Sequence, residues 1–236
     1  MEVNKIKRLN FSGAYIDAKY VENVENYPIQ NRTIVINPQA SDAHLSEVPA
    51  SIIPAFSSTI LKDIIIQKAE SLLLLEIVET NNIGKIISEK DWNLLGNLDN
   101  FPKDVPLWRS PKDEAGIVEL DPYLMTKQSS TFQQKERFSV KINLWFAPSN
   151  SDCIIHNQHD FIELHTQIFG QGRMQKFKVK AFNSLYEDVL MSPGYTTSVP
   201  FCQVEENQKY VYPWHQYYAD TDCIWLAIEY HPTKAS

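Results

Sequence analysis

The second half of the chain consists of short segments in which apolar and polar residues alternate, separated by residues that favour turns. Residues 137–146 alternate in this way and end at a cluster of turn-forming residues, 147–150. Residues 160–169 and 174–181 repeat the pattern, and residues 223–230 form a final apolar segment. Short strands with a turn every ~8–12 residues are typical of an antiparallel sandwich or barrel. The pattern therefore predicts a mainly β fold.

The first half of the chain is less regular. Residues 32–37 have the composition of a strand, whereas residues 60–78 can be interpreted in two ways. They form either one helix, with Leu61, Ile64 and Leu75 on a single face, or two strands joined near residues 68–71. Ser88 is expected to cap a short helix that continues through Leu95. Residues 97–135 are polar and rich in proline, which predicts a long connection or several turns.

Composition and charge exclude several classes of protein. The formal net charge of −7 argues against a nucleic-acid surface, which requires clustered Lys and Arg. The apolar runs at 64–66 and 72–75 are too short to cross a membrane. There are three cysteines and no Cys-x-x-Cys spacing, so neither a disulfide framework nor a zinc knuckle is expected. Without an apolar run of signal-peptide length at residues 1–13, a cytoplasmic protein is expected.

Residues 155–170 carry most of the chemical information in the sequence. Side chains on a strand point alternately to opposite faces. One face would therefore carry a polar set and the other an apolar ladder interrupted by Asp160 and Thr166; the polar face would hold His159, Phe161, Glu163, His165 and Gln167. This arrangement suits a strand that is covered on both faces, with one face lining a pocket inside a barrel.

The same segment resembles the first cupin motif. In that motif a His is followed by three or four residues, a Glu, six residues and a Gly, and His159, Glu163 and Gly170 have this spacing. The sequence of this segment looks most like that of the shorter cupins, including the sugar-binding arms of AraC-type regulators. The second cupin motif is similar to Pro213-Trp214-His215.

Three positions depart from the motifs. Asn157 stands where the cupin pattern has another His, and His156, one place earlier, would reach the site if the chain bulges there. In the second motif, Trp214 stands between Pro and His where a Gly is usual, and Ala219 stands where an Asn is usual. The resemblance implies a cupin-like double-stranded β-helix, or jelly-roll barrel, over residues 131–236. Residues 1–130 are expected to form an N-terminal extension of strands and short helices, or alternatively a second, degenerate barrel.

The resemblance also implies a metal centre and its ligands. His159, Glu163 and His215 would hold a divalent transition metal, with His156 or His165 as a fourth ligand. Iron is expected first, with Mn, Ni, Zn or Cu as alternatives, because imidazoles with one carboxylate suit such ions. His165 and Tyr217 are the expected proton-transfer residues. His44 and His231 have no partner in the pattern and are expected to be structural.

Three functions remain open at this point. The first is a metal-dependent enzyme acting on a small polar or aromatic metabolite, as a dioxygenase or an isomerase. The second is a non-catalytic cupin that binds a sugar or another small metabolite, and the third is an assembly protein that uses the barrel as a scaffold. A homodimer is expected from the resemblance, and neither a nucleic-acid nor a membrane partner is expected. There is no Gly-x-Ser-x-Gly, which argues against an elbow-type serine hydrolase.

Overall fold

The computed structural model of the protein describes residues 2–98, 101–129, 134–205 and 209–233. Within these ranges the chain is mostly antiparallel strand, which confirms the predicted mainly β fold class. The described residues include one α-helix, α1 (Pro122–Met125). Its N-terminus is capped because the Asp121 carboxylate accepts hydrogen bonds from the backbone amides of Tyr123 and Leu124. No helix in these ranges has the length and apolar character needed to span a membrane.

The N-terminal half forms one seven-stranded antiparallel sheet. Its strands are β1 (Lys5–Arg8), β2 (Ile16–Ile29), β3 (Thr33–Ile36), β4 (Ala43–Leu45), β5 (Ile52–Ile53), β6 (Ser58–Leu61) and β7 (Ile64–Ile77). The long strands β2 and β7 pair along their whole length. Strands β3 and β6 extend the pair at one end, while β4 and β5 extend it at the other. Of the two interpretations of residues 60–78, the strand interpretation is correct, although the turn lies at residues 62–63.

The middle of the chain contains short elements rather than a long connection. They are a 3-10 helix (Ile83–Ser88), β8 (Asn93–Leu94), a 3-10 helix (Leu95–Asn97), β9 (Trp108–Arg109) and β10 (Asp113–Leu120). The expected helix that begins at Ser88 is wrong, because the first 3-10 helix ends there and has no side-chain cap. Strand β10 pairs with the first strand of the second half, so the proline-rich region contributes to the main sheet.

The C-terminal half has the strand order of a jelly roll. Its strands are β11 (Glu136–Ala147), β12 (Ser151–Asp152), β13 (Ile162–Phe169), β14 (Gly172–Phe177), β15 (Leu185–Met191), β16 (Gln203–Glu205), β17 (Lys209–Val211), β18 (Trp214–Ala219) and β19 (Cys223–Pro232). A 3-10 helix (Phe182–Ser184) precedes β15. One sheet joins β13, β19 and β11, and the facing sheet joins β12, β18, β14 and β15. Successive strands thus cross between two sheets, as in the double-stranded β-helix that was predicted.

The two halves share one apolar core. The main sheet of each half turns an apolar face to the other half, and this core includes Ile16, Ile34, Leu73, Leu75, Ile142, Leu144, Leu164, Leu226 and Ile228. The Tyr230 hydroxyl donates a hydrogen bond to the Pro38 carbonyl across this boundary, at 2.9 Å. The predicted division between residues 130 and 131 falls outside the described residues and stays a prediction.

Candidate metal centre

Strand β13 is covered on both faces, as the alternation of its sequence predicted. Ile162 and Leu164 face the shared core, whereas Glu163 and His165 line a cavity of about 320 Å³ inside the C-terminal barrel. The cavity is also lined by residues of the β12–β13 loop, β18, β19 and the middle of the chain, and its polar members are Lys112, Cys153, His156, Gln158, His159, Tyr217 and Glu229.

Three histidines lie together beside this cavity, and two of them, His156 and His159, line it. One ring nitrogen from each of His156, His159 and His215 lies within 4.8 Å of the other two. The Nε2 atoms of His159 and His215 are 3.2 Å apart. His215 is fully buried on β18, while His156 and His159 lie in the loop before β13 and are partly buried. Residues 56 positions apart in sequence are thus brought together by the barrel.

A local distortion of the chain brings His156 into this group. His156 and His215 exchange two backbone hydrogen bonds, of 3.0 and 2.9 Å, which fixes their side chains on neighbouring positions. Two residues earlier, Ile154 adopts a positive φ of 68°, which is a rare conformation for a β-branched residue. The chain therefore bends before His156, and this residue reaches the group although the cupin motif has its His at position 157.

Backbone carbonyls determine the tautomers of two of these rings. His156 Nδ1 is 2.8 Å from the Ile154 carbonyl oxygen, and His215 Nδ1 is 2.9 Å from that of Pro213. A carbonyl oxygen only accepts hydrogen bonds, so both Nδ1 atoms carry the proton in the neutral rings. The Nε2 atoms of both residues then carry a lone pair instead of a proton, and that of His215 faces His159 Nε2. Metal-binding histidines are typically oriented by such a second hydrogen bond.

The three imidazoles are neutral near pH 7. Burial lowers the pKa of His215 to about 2 and that of His159 to about 3, and the neighbouring His156 ring contributes in both cases. Burial also lowers the pKa of His156. A metal ligand must be deprotonated, and these rings meet that requirement. Two nitrogens bound to one ion at ~2.0–2.1 Å are roughly 3.0–3.4 Å apart, which the 3.2 Å separation matches.

Glu163, the predicted carboxylate ligand, lies beside the histidine group. One of its oxygens is 4.0 Å from His159 Nδ1 and the other is 3.7 Å from His165 Nε2. Burial raises the pKa of this carboxyl group well above its usual value, and the charge of Glu229 adds to this effect. Among the described residues, the group of ligand atoms within 4.8 Å of one another does not include Glu163.

The two predicted proton-transfer residues contact each other. The rings of His165 and Tyr217 have centroids 4.0 Å apart, and both side chains line the cavity. Burial lowers the pKa of His165 to about 3 and raises the pKa of Tyr217 well above 10. At neutral pH the imidazole is therefore unprotonated and the phenol keeps its proton.

A charged group at the same cavity was missed from the sequence. Glu229 is 3% exposed, and its carboxylate accepts a hydrogen bond from His231 at 2.8 Å and lies 3.4 Å from Lys112 Nζ. Burial alone would raise the pKa of Glu229, but the bond with His231 and the charge of Lys112 hold it below its usual value. The expectation that His231 has no partner is wrong. In the sequence, Glu229 interrupts an otherwise apolar strand and lies on the same face as Trp225. This pattern could have indicated a buried charge.

The rest of the cavity wall is apolar and largely aromatic. It is formed by Leu95, Phe101, Leu107, Trp145, Phe161 and Trp225. Gly172 leaves room for the Trp225 ring, since a Cβ atom at position 172 would lie 2.6 Å from it. A cavity with an aromatic part of its wall suits a small molecule with a flat apolar body.

Comparisons with known proteins give distant structural matches. No family model matches the chain, and no curated protein matches its sequence. The chain is similar to a cupin 2 conserved barrel domain protein from Leptotrichia buccalis, at 7% identity and a TM-score of 0.31, over 98% of this chain and 91% of the other. It is similar to an RmlC-like cupin protein from Desulfovibrio desulfuricans, at 16% identity and a TM-score of 0.28, over 39% and 71% of the two chains.

A third match is Bacillus subtilis oxalate decarboxylase, a protein with Mn(II) centres. Its identity is 11% and its TM-score 0.30, over 98% of this chain and 74% of that one. The activity belongs to that protein, and likenesses at this level concern the fold alone. By the order of its own strands, this chain has the cupin-like jelly-roll fold that its two motifs predicted.

Proposed function

We propose that the protein is a metal-dependent enzyme of the cupin type that acts on a small polar or aromatic metabolite, as a dioxygenase or an isomerase. The observation that carries this proposal is the group of His156, His159 and His215, whose rings are neutral and in which His156 and His215 have an unprotonated Nε2. We propose iron as the bound metal, with Mn, Ni, Zn or Cu as alternatives. When bound, such an ion would polarise a substrate oxygen or offer open positions to dioxygen.

The other residues of the cavity would bind substrate and transfer protons. The Tyr217 phenol can donate a hydrogen bond, and the neutral His165 imidazole beside it can accept a proton. The apolar wall would hold the body of the substrate and exclude water. We further propose a cytoplasmic homodimer without a nucleic-acid or membrane partner. Light scattering tests the dimer, and the net charge of −7 argues against nucleic-acid binding.

Elemental analysis of protein purified without added metal tests this function. We expect about one equivalent of a transition metal in the wild type, and less than about a tenth in His215→Gln, because a ligand is lost. His44→Gln is the matched control, since His44 is exposed and lies on β4 in the other half. A wild type without metal that gains none on titration would contradict the proposal. That result would favour the non-catalytic cupin that binds a sugar or another metabolite.

A further inference from the structure

The carboxylate of Glu163 lies on the Nδ1 side of the His159 ring and is not among the ligand atoms that the three histidines bring together. Its closest ring atom on His159 is Nδ1, at 4.0 Å, whereas His159 uses Nε2 to face His215. The second oxygen of Glu163 faces His165 Nε2 at 3.7 Å. One carboxylate oxygen thus faces the ring nitrogen of His159 that does not face His215, and the other faces a histidine outside the group.

The backbone around Glu163 is fixed in this place. The amide of Glu163 donates a hydrogen bond to the Tyr212 hydroxyl at 2.9 Å, and that hydroxyl donates to the Phe161 carbonyl at 3.0 Å. The Tyr212 ring also packs on His159, with centroids 4.6 Å apart. Tyr212 therefore holds both the start of β13 and the ring that Glu163 faces.

We propose that the ligand set consists of three neutral imidazoles, that Glu163 is a positioning residue for His159, and that the centre consequently takes a small organic anion with a flat apolar body. This inference rests on the proposed function. Three neutral ligands supply no charge to offset the double charge of the ion, and the Glu229 carboxylate of the same cavity is already paired with Lys112 and His231. Charge interactions inside such a cavity are stronger than in water. An anionic oxygen bound to the ion offsets that charge, and the wall of Phe101, Trp145 and Trp225 receives the remainder of the molecule.

Cobalt(II) titration with visible absorption tests the ligand set. Glu163→Gln keeps a hydrogen-bond acceptor behind His159, so we expect the wild-type band positions and at most about a tenfold weaker Kd. Glu163→Leu lacks that acceptor and should bind cobalt roughly 10- to 100-fold more weakly. His215→Gln should change the bands themselves. Asp160→Asn is the matched control for the loss of a carboxylate, because Asp160 is exposed three residues away.

Two outcomes separate this inference from the proposed function. If Glu163→Gln changes the cobalt bands as His215→Gln does, the carboxylate is a ligand and the inference is wrong. If the wild type takes up no cobalt, the metal-dependent function fails first, and the inference fails with it. Glu163→Leu and Glu163→Gln with equal affinities would show that Glu163 does not position His159.

Azide titration of the cobalt protein tests the preference for anions. The wild type should show saturable spectral changes, and the metal-free protein should show no binding, which excludes attraction by Lys112 alone. His156→Glu places a carboxylate in the ligand set and should weaken azide binding by at least about tenfold. Equal azide affinity in this variant, or no saturation in the wild type, would overturn the proposal. If His156→Glu takes up no cobalt, the wild-type titration alone tests the preference for anions: saturation supports it, and its absence contradicts it.

Discussion

Acidification should destabilise the metal-free protein through its buried histidines. Burial lowers the pKa of His159 and His165 to about 3 and that of His215 to about 2, from an ordinary value of 6.5. The unfolded chain therefore binds more protons than the folded one between pH 6.5 and about 3. Stability is fully present above pH 6.5 and is lost progressively as the pH falls through this window.

The magnitude follows from the number of groups. Between pH 7 and pH 5, a histidine with an unfolded pKa of 6.5 that stays neutral when folded destabilises the protein by about 2 kcal/mol. Three such residues give up to about 6 kcal/mol, which is comparable with the whole stability of many domains. Glu163 acts in the opposite sense, because its pKa is raised in the folded state and its protonated form is favoured as the pH falls.

Urea unfolding at pH 7 and pH 5, with chelator present, measures this loss. His165→Gln should lose about 2 kcal/mol less than the wild type over this interval, because it has one titrating histidine fewer. His44→Gln, at an exposed position, should lose as much as the wild type. Glu163→Gln should lose more, because the opposing group is gone. A wild type whose unfolding free energy is the same at both pH values would refute the reasoning, as would a His165→Gln protein with an unchanged difference.

Two further predictions concern packing, and urea unfolding at pH 7 measures both. Gly172→Ala should lower the free energy of unfolding by about 1–3 kcal/mol, because its Cβ would lie 2.6 Å from the Trp225 ring; an unchanged value would show that the ring can move away. Leu226→Ala, fully buried between the two halves, should cost about 2–5 kcal/mol. Ile117→Ala, at a position that is 51% exposed, is its control and should stay within about 0.5 kcal/mol of the wild type. Equal losses in these two variants would contradict the shared core.

The residues of the candidate site could be predicted because they lie on one strand and in two short motifs. The alternation of residues 159–167 placed Glu163 and His165 on the cavity face, where the structure has them. The conformation of Ile154 could not be predicted from its side chain, since β-branched residues rarely adopt a positive φ. The position of His156 was therefore open until the bend before it was seen.

The strands of the N-terminal half could not be settled from the sequence. Leu72, Leu73, Leu74 and Leu75 are all buried, because both faces of this part of β7 are covered. A strand that is apolar on both faces loses the alternation that distinguishes it from a helix. The turn at residues 62–63 depends on a positive φ at Asp63, which one residue in the middle of a long apolar segment did not reveal.

The charged group at Glu229 was missed for a different reason. Its partner Lys112 is 117 residues away in sequence, so no local pattern connects the two side chains. His231 is two residues away and on the same face, yet a lone His–Glu pair at the end of an apolar strand is a weak signal. Long-range ion pairs of this kind depend on how the barrel closes, which periodicity does not specify.

The two faces of the main C-terminal sheet show opposite compositions, and this difference bears on function. The face that meets the N-terminal half is mostly apolar, with Thr166 as a hydrogen-bonded exception. The other face buries polar atoms that have no hydrogen-bond partner within the described ranges, among them both amide atoms of Asn143, His165 Nδ1 and Trp225 Nε1. Each such atom costs about 1–3 kcal/mol. A fold that needed only a stable barrel would place apolar side chains there, so the concentration of polar groups on this face is best explained by what the cavity binds.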